Sequence, residues 1–184
     1  VKDSRPVSTA AVERALLLAS DVPGVQVRGV LQPIQGEPGA LRLIAQLTRS
    51  PVSGYFNLDN RAYRLTGPWQ GLLVGGLNSF TEYGERTEAS IFGSEQGTQW
   101  FAQGSVEAFI GGSGLRLRLY AGRGNVLPSG QLEEIGYVGE TRLAGAIATY
   151  PIIRTRPLNL WAIAQFDAFD SDVYTGVGTP SGRS

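Results

Sequence analysis

The side chains best suited to acid–base chemistry in this sequence are carboxylates that fall close together: Glu133 with Glu134, and Asp167, Asp170 and Asp172. Two carboxylates facing one another across a cleft are what a glycoside hydrolase requires. The plainer reading is that both groups are solvated turn and loop charges. His and Cys are both absent. Their absence removes imidazole as a general base, thiolate as a nucleophile and the commonest zinc ligands. No Ser/His/Asp or Cys/His pairing can form. Gly71, Gly75 and Gly76, like Gly111, Gly112 and Gly114, lack the Gly-x-x-x-x-Gly-Lys pattern of a phosphate loop and read as turns and bends. Arg116 and Arg118 either bind an anion or line a polar wall with Glu107 and Asp59. The chain is therefore expected to be no enzyme and to need no metal or other cofactor.

Composition narrows the classes further. Sixteen Lys and Arg balance sixteen Asp and Glu in 184 residues. No basic footprint for nucleic acid or an anionic membrane surface results. Met is absent, so the chain is expected to be part of a longer protein. No apolar run approaches the roughly 18 residues of a membrane helix. A membrane barrel is not excluded, because its strands alternate and never look hydrophobic in a sliding window. The 25 glycines suit a strand-rich protein with tight turns.

The elements that position these residues change character at Pro51. Before it the pattern is mixed α/β. Ser8 or Thr9 caps a helix with Glu13 in its first turns, and Val12, Leu16 and Ala19 share a face. The helix should end near Asp21, ahead of Pro23 and Gly24. Val25–Leu31 alternates as a strand, Pro33–Gly39 reads as a turn, and Leu41–Leu47 alternates again. This unit lacks a partner for its apolar faces and looks incomplete.

Beyond Pro51, alternating segments of about ten residues recur between turn residues, the length of a tilted membrane strand. Phe56 and Leu58 oppose Asn57, Asp59 and Arg61. Trp100, Ala102, Val106, Ala108 and Ile110 oppose Gln99, Gln103, Ser105 and Glu107. Leu115, Leu117, Leu119 and Ala121 oppose Arg116, Arg118 and Tyr120. Leu160, Ala162, Ala164 and Phe166 oppose Asn159, Gln165 and Asp167. Trp69–Phe80 and Thr141–Ile153 add strands of blurred alternation, for about seven in all. A soluble β-sandwich alternates too. Two details favour a membrane. Tyr55, Trp69, Tyr83, Trp100, Tyr120, Tyr150 and Phe169 sit near segment ends, as an interfacial girdle requires. Fixed charges also sit mid-strand on the polar faces, which suits a wet lumen.

Several segments resemble one family, the outer-membrane transporters of two-partner secretion, or haemolysin activators. Residues 13–33, from Glu13-Arg-Ala-Leu-Leu-Leu through Val25-Gln-Val-Arg to Gln32-Pro, resemble the second half of its second POTRA domain. Pro51-Val-Ser-Gly, Leu58-Asp-Asn-Arg and Tyr63-Arg-Leu-Thr-Gly-Pro-Trp-Gln resemble the passage into the first barrel strands. Gly114-Leu-Arg-Leu resembles the start of a later strand. Tyr150-Pro-Ile-Ile-Arg-Thr-Arg resembles a turn between strands. The matches come in family order.

The resemblance implies a mainly β chain: part of a POTRA domain (α/β) over residues 1–50, then the N-terminal strands of an antiparallel transmembrane β-barrel over 51–184. It implies the bacterial outer membrane, with the N-terminal part in the periplasm, and a place in the Omp85 superfamily. The implied partners are a secreted exoprotein, translocated unfolded, and outer-membrane lipid, with no nucleotide or nucleic acid. Val25, Gln26, Val27 and Arg28 would dock the client by β-augmentation, unless that strand is already paired in its own sheet. Asp59, Arg61, Glu107, Arg116 and Arg118 would line the lumen, or stiffen its wall by mutual salt bridges. An outer-membrane assembly factor and a soluble β-rich binding module remain as alternatives.

Overall fold

The computed structural model describes residues 8–36, 40–63, 66–129 and 131–176. It is mainly β, and its strand pairs are antiparallel. Helix α1 (Thr9–Ser20) opens the described chain. Ser8 takes the N-cap position, but its side chain makes no cap bond; its carbonyl accepts from the amides of Ala11 and Val12. The helix stops at Asp21, before Pro23, and Gly24 turns the chain at a φ of 71°.

Strands β1 (Val25–Pro33) and β2 (Leu41–Arg49) form an antiparallel pair. The helix lies close over Gly29, where a Cβ would come within 2.8 Å of Leu16 Cδ1. Leu31, Leu41, Leu43 and Leu47 share that face by register and remain exposed. No residue of α1 is buried. The unit therefore covers only part of its own apolar surface. Part of the Pro33–Gly39 turn lies outside the described residues.

Seven strands follow: β3 (Val52–Asp59), β4 (Gln70–Asn78), β5 (Arg86–Ser94), β6 (Gln99–Ile110), β7 (Leu115–Val126), β8 (Val138–Arg154) and β9 (Asn159–Tyr174). Each pairs with the next in one meandering sheet. The short helix α2 (Gln131–Glu134) interrupts the connection from β7 to β8.

Register divides the sheet into two faces. One carries Phe56, Leu73, Ile91, Val106, Leu119, Ala146 and Phe166. It is exposed, Leu119 by 54% and Phe166 by 70%. The other carries Val74, Asn78, Glu88, Ser105, Glu107, Arg118 and Gln165. From β4 to β8 that polar face is the more sheltered one, with Val74 at 8% exposure, Ser105 at 9% and Asn78 at 3%, whereas on β9 its residues, Gln165 among them, are exposed.

Three readings need correction. Asp170 and Asp172, read as loop charges, are strand residues of β9 as Asp167 is, each in register with β8. Tyr150–Arg154 belongs to β8, and the turn is confined to 155–158, where the Thr155 amide donates to the Leu158 carbonyl at 3.1 Å. Pro151 fits there because β8 pairs with β7 only as far as Thr149, and a register shift follows. Finally, of the aromatics expected in one girdle, only Trp100 and Tyr150 lie on the apolar face of a strand. Tyr55, Tyr120 and Phe169 lie on the polar face, and Trp69 and Tyr83 lie in connections.

Candidate functional site

From β5 to β7 the polar face carries a patch of alternating charge. Register sets Arg86, Glu107 and Arg118 in one row across three strands, so opposite charges stand side by side. Arg118 Nη2 lies 3.4 Å from Glu88 Oε1 and donates to Ser105 Oγ at 3.0 Å. Glu88 also pairs with Arg86. Arg116 Nη1 lies 3.5 Å from Glu107, and its guanidinium sits 5.4 Å over the Trp161 ring. Further along, the Tyr120 hydroxyl donates to Asp167, and Gln165 Nε2 donates to the same carboxylate at 2.7 Å. Tyr120 reaches across Gly145, where a Cβ would come within 2.5 Å of the phenol. A side chain at 145 would have to displace that ring.

Of the expected lumen residues, Glu107, Arg116 and Arg118 come together. Asp59 and Arg61 do not join them. Asp59 closes β3 at the opposite end, accepting from the Arg61 amide at 3.0 Å and from Gln70 Nε2 at 2.9 Å. Arg61 lies beyond the strand in an exposed connection.

A second feature left no local mark in the sequence. Helix α1 is seated on the turns at one end of the sheet. At the β4–β5 turn, Gly84 has a φ of 58°, and a Cβ there would meet Val22 Cγ1 at 3.0 Å. At the β6–β7 turn, Gly114 has a φ of 92°, and a Cβ would meet Leu18 Cδ2 at 2.6 Å and Pro151 Cγ at 2.8 Å. At the β8–β9 end, the Arg154 guanidinium donates to both Asp21 oxygens, at 2.7 and 2.9 Å. The Arg156 amide donates to the Glu13 carboxylate at 2.8 Å, and Arg14 Nη2 donates to the Pro151 carbonyl at 3.0 Å. Glu13, expected to serve the helix start, serves this seat instead.

The other flank is held by bonds to backbone carbonyls. The Ser50 amide donates to the Gly24 carbonyl at 2.7 Å, and Ser79 Oγ donates to the Pro23 carbonyl at 2.6 Å. Ser79 is a non-glycine residue at a φ of 51°, a conformation that needs support from its surroundings. The turn after it is closed by Glu85, whose carboxylate accepts from the Thr81 hydroxyl at 2.6 Å and amide at 2.7 Å. The Thr81 hydroxyl bond, with the backbone bonds, holds that carboxyl below its ordinary pKa. Between the two flanks opens a mainly apolar cleft of about 500 Å³, lined in part by Leu18, Val22, Val25, Leu47, Tyr83 and Phe109.

No family model, curated protein or solved structure matches this chain. Among the described residues, no group of three His, Cys, Asp or Glu could hold a metal. The expected docking residues Val25, Gln26, Val27 and Arg28 lie in β1, which pairs along one edge with β2. Among the described residues its other edge is unpaired. That edge offers backbone donors and acceptors to an extended peptide. Val25 also lines the cleft, which brings the start of this strand to the end of the sheet.

Proposed function

We propose that this chain is part of an outer-membrane pore that passes an unfolded exoprotein to the cell surface. Residues 1–50 would belong to a periplasmic POTRA domain and 51–184 to the first strands of a transmembrane barrel. The observation that carries this reading is the inverted sheet. Its broad apolar face is exposed, while from β4 to β8 its charged face is the more sheltered one. A water-soluble sheet buries its apolar face. A barrel wall in lipid does the reverse, with apolar residues outward and a polar lumen within. The strands of 12 to 17 residues from β6 to β9 exceed the roughly ten needed to cross. The unpaired edges of β3 and β9 would be closed by strands of the longer protein.

In this reading the client first adds to the open edge of β1, where main-chain hydrogen bonds give affinity without demanding one sequence. It then passes along the polar wall. Paired charges such as Arg118 with Glu88 keep that wall wet while leaving little uncompensated charge to trap a chain. The test is deletion and complementation of the parent gene, with large proteins followed in the medium. Loss of one large exoprotein, restored on complementation, supports secretion. An unchanged medium with several outer-membrane barrels depleted would point instead to an assembly factor.

A further inference from the structure

We propose that the seat of α1 is a releasable latch over the end of the sheet, hinged near Gly24 and Pro51 and fastened by Asp21 and Arg154. The inference rests on the membrane reading above. The two flanks of the seat differ in kind. On the β3 side the N-terminal unit is continuous with the sheet through Ser50 and Pro51, and side-chain bonds add to that chain connection, from Ser79 Oγ to the Pro23 carbonyl at 2.6 Å and from Asn78 Nδ2 to the Ser50 carbonyl at 3.3 Å. That flank can swing but not part. On the β8–β9 side every fastening named is a side-chain contact between residues far apart in sequence: Asp21 to Arg154, Glu13 to Arg156, and Arg14 to Pro151.

The apolar part of the seat is small: Leu18 lies over Gly114 and Pro151, and Val22 over Gly84. No α1 residue is buried, and the cleft of about 500 Å³ lies open beside it. Poorly filled apolar contacts contribute little, so the polar fastenings dominate the balance between seated and lifted states. Arg154 is also provided for in both states. Its Nη1 donates to Asn159 Oδ1 at 2.8 Å, and its guanidinium lies 5.7 Å over Trp161. When Asp21 leaves, these partners keep Arg154 in place and the end of β8 keeps its shape. Trp161 also carries Arg116, which is paired with Glu107. The fastening therefore abuts the charged wall, and lifting the helix would open the cleft towards that wall.

The parent protein, reconstituted in planar lipid bilayers with KCl as the conducting ion, tests this. Asp21→Asn and Arg154→Gln should each raise the frequency of large openings about tenfold, the effect of losing one charged hydrogen-bonded pair. The exchange Asp21→Arg with Arg154→Asp should restore wild-type behaviour. A short bismaleimide joining Glu13→Cys to Arg156→Cys should suppress the added openings in the Asp21→Asn background. The same cross-link should form more slowly in that background than in wild type, a readout independent of conductance. Unchanged opening and cross-linking in both single variants would overturn the latch. A wild-type protein that conducts in no condition and stays monodisperse without detergent would overturn the membrane reading itself, and the latch with it.

Discussion

Asp21 and Arg154 stand 133 residues apart and meet as a two-bond ion pair, each side chain only 17% exposed. One closes helix α1 and the other ends β8. Removing either partner should cost about 1.5–3 kcal/mol, the range for hydrogen bonds to charged groups. The double variant Asp21→Ala with Arg154→Ala should cost scarcely more than either single one. A double-mutant cycle on denaturant unfolding of the lipid-reconstituted parent protein measures this, and additive losses would show that the pair is not coupled.

Gly145 lets the Tyr120 phenol cross to Asp167. Gly145→Val should displace that ring and destabilise the sheet by about 1–3 kcal/mol, as overpacking does. Tyr120→Phe removes the hydroxyl and keeps the ring, so it should cost less. Unfolding midpoints of the two variants compare the effects directly.

Glu85 should make its turn acid-sensitive. Its folded pKa lies below the ordinary carboxylate value, chiefly through the Thr81 hydroxyl bond. Its contribution is therefore present above the unfolded pKa and lost as pH falls through the lower folded one. Amide exchange at Thr81, corrected for its intrinsic pH dependence, should lose protection on acidification below about pH 4.5. Glu85→Gln should show the lower protection already at neutral pH. Protection that is independent of pH in both proteins would contradict the assignment.

Glu88 neutralises two guanidinium groups, those of Arg86 and Arg118. Glu88→Gln leaves both without that partner on the polar face. Reversal potentials in a KCl gradient should shift towards anion selectivity, and Arg118→Gln should shift them the other way. Identical reversal potentials in the two variants would place these residues outside the conducting path.

Much of the architecture was legible because the alternation of β6 and β7 is long and regular. Ladders over Gln99–Ile110 and Leu115–Val126 follow directly from it. The α1 boundaries and the β1–β2 hairpin were legible through Pro23, Gly24 and the leucine alternation. Other features were hidden for physical reasons. Asp170 and Asp172 read as loop charges because β9 carries its pairing past Ala168, where the apolar alternation ends. Tyr55 read as a girdle residue by position, yet register parity puts it on the polar face, where alternation with Arg116 and Arg118 already set Tyr120. Asp59 and Glu107 share a face but lie at opposite ends of the sheet, a separation fixed by pairing and invisible to spacing. The seat of α1 depends on contacts such as Glu13 with Arg156, which leave no periodic trace.

In the proposed pore the exposed apolar face meets lipid and the charged face meets water. Site-directed spin labels along β7 in the lipid-reconstituted parent protein test it most directly. Labels replacing Leu117, Leu119 and Ala121 should relax with oxygen dissolved in the bilayer. Those replacing Arg116, Arg118 and Tyr120 should relax with a water-soluble nickel complex, in strict alternation. Uniform access of the nickel complex to all six positions would contradict the account and make this sheet part of a soluble protein.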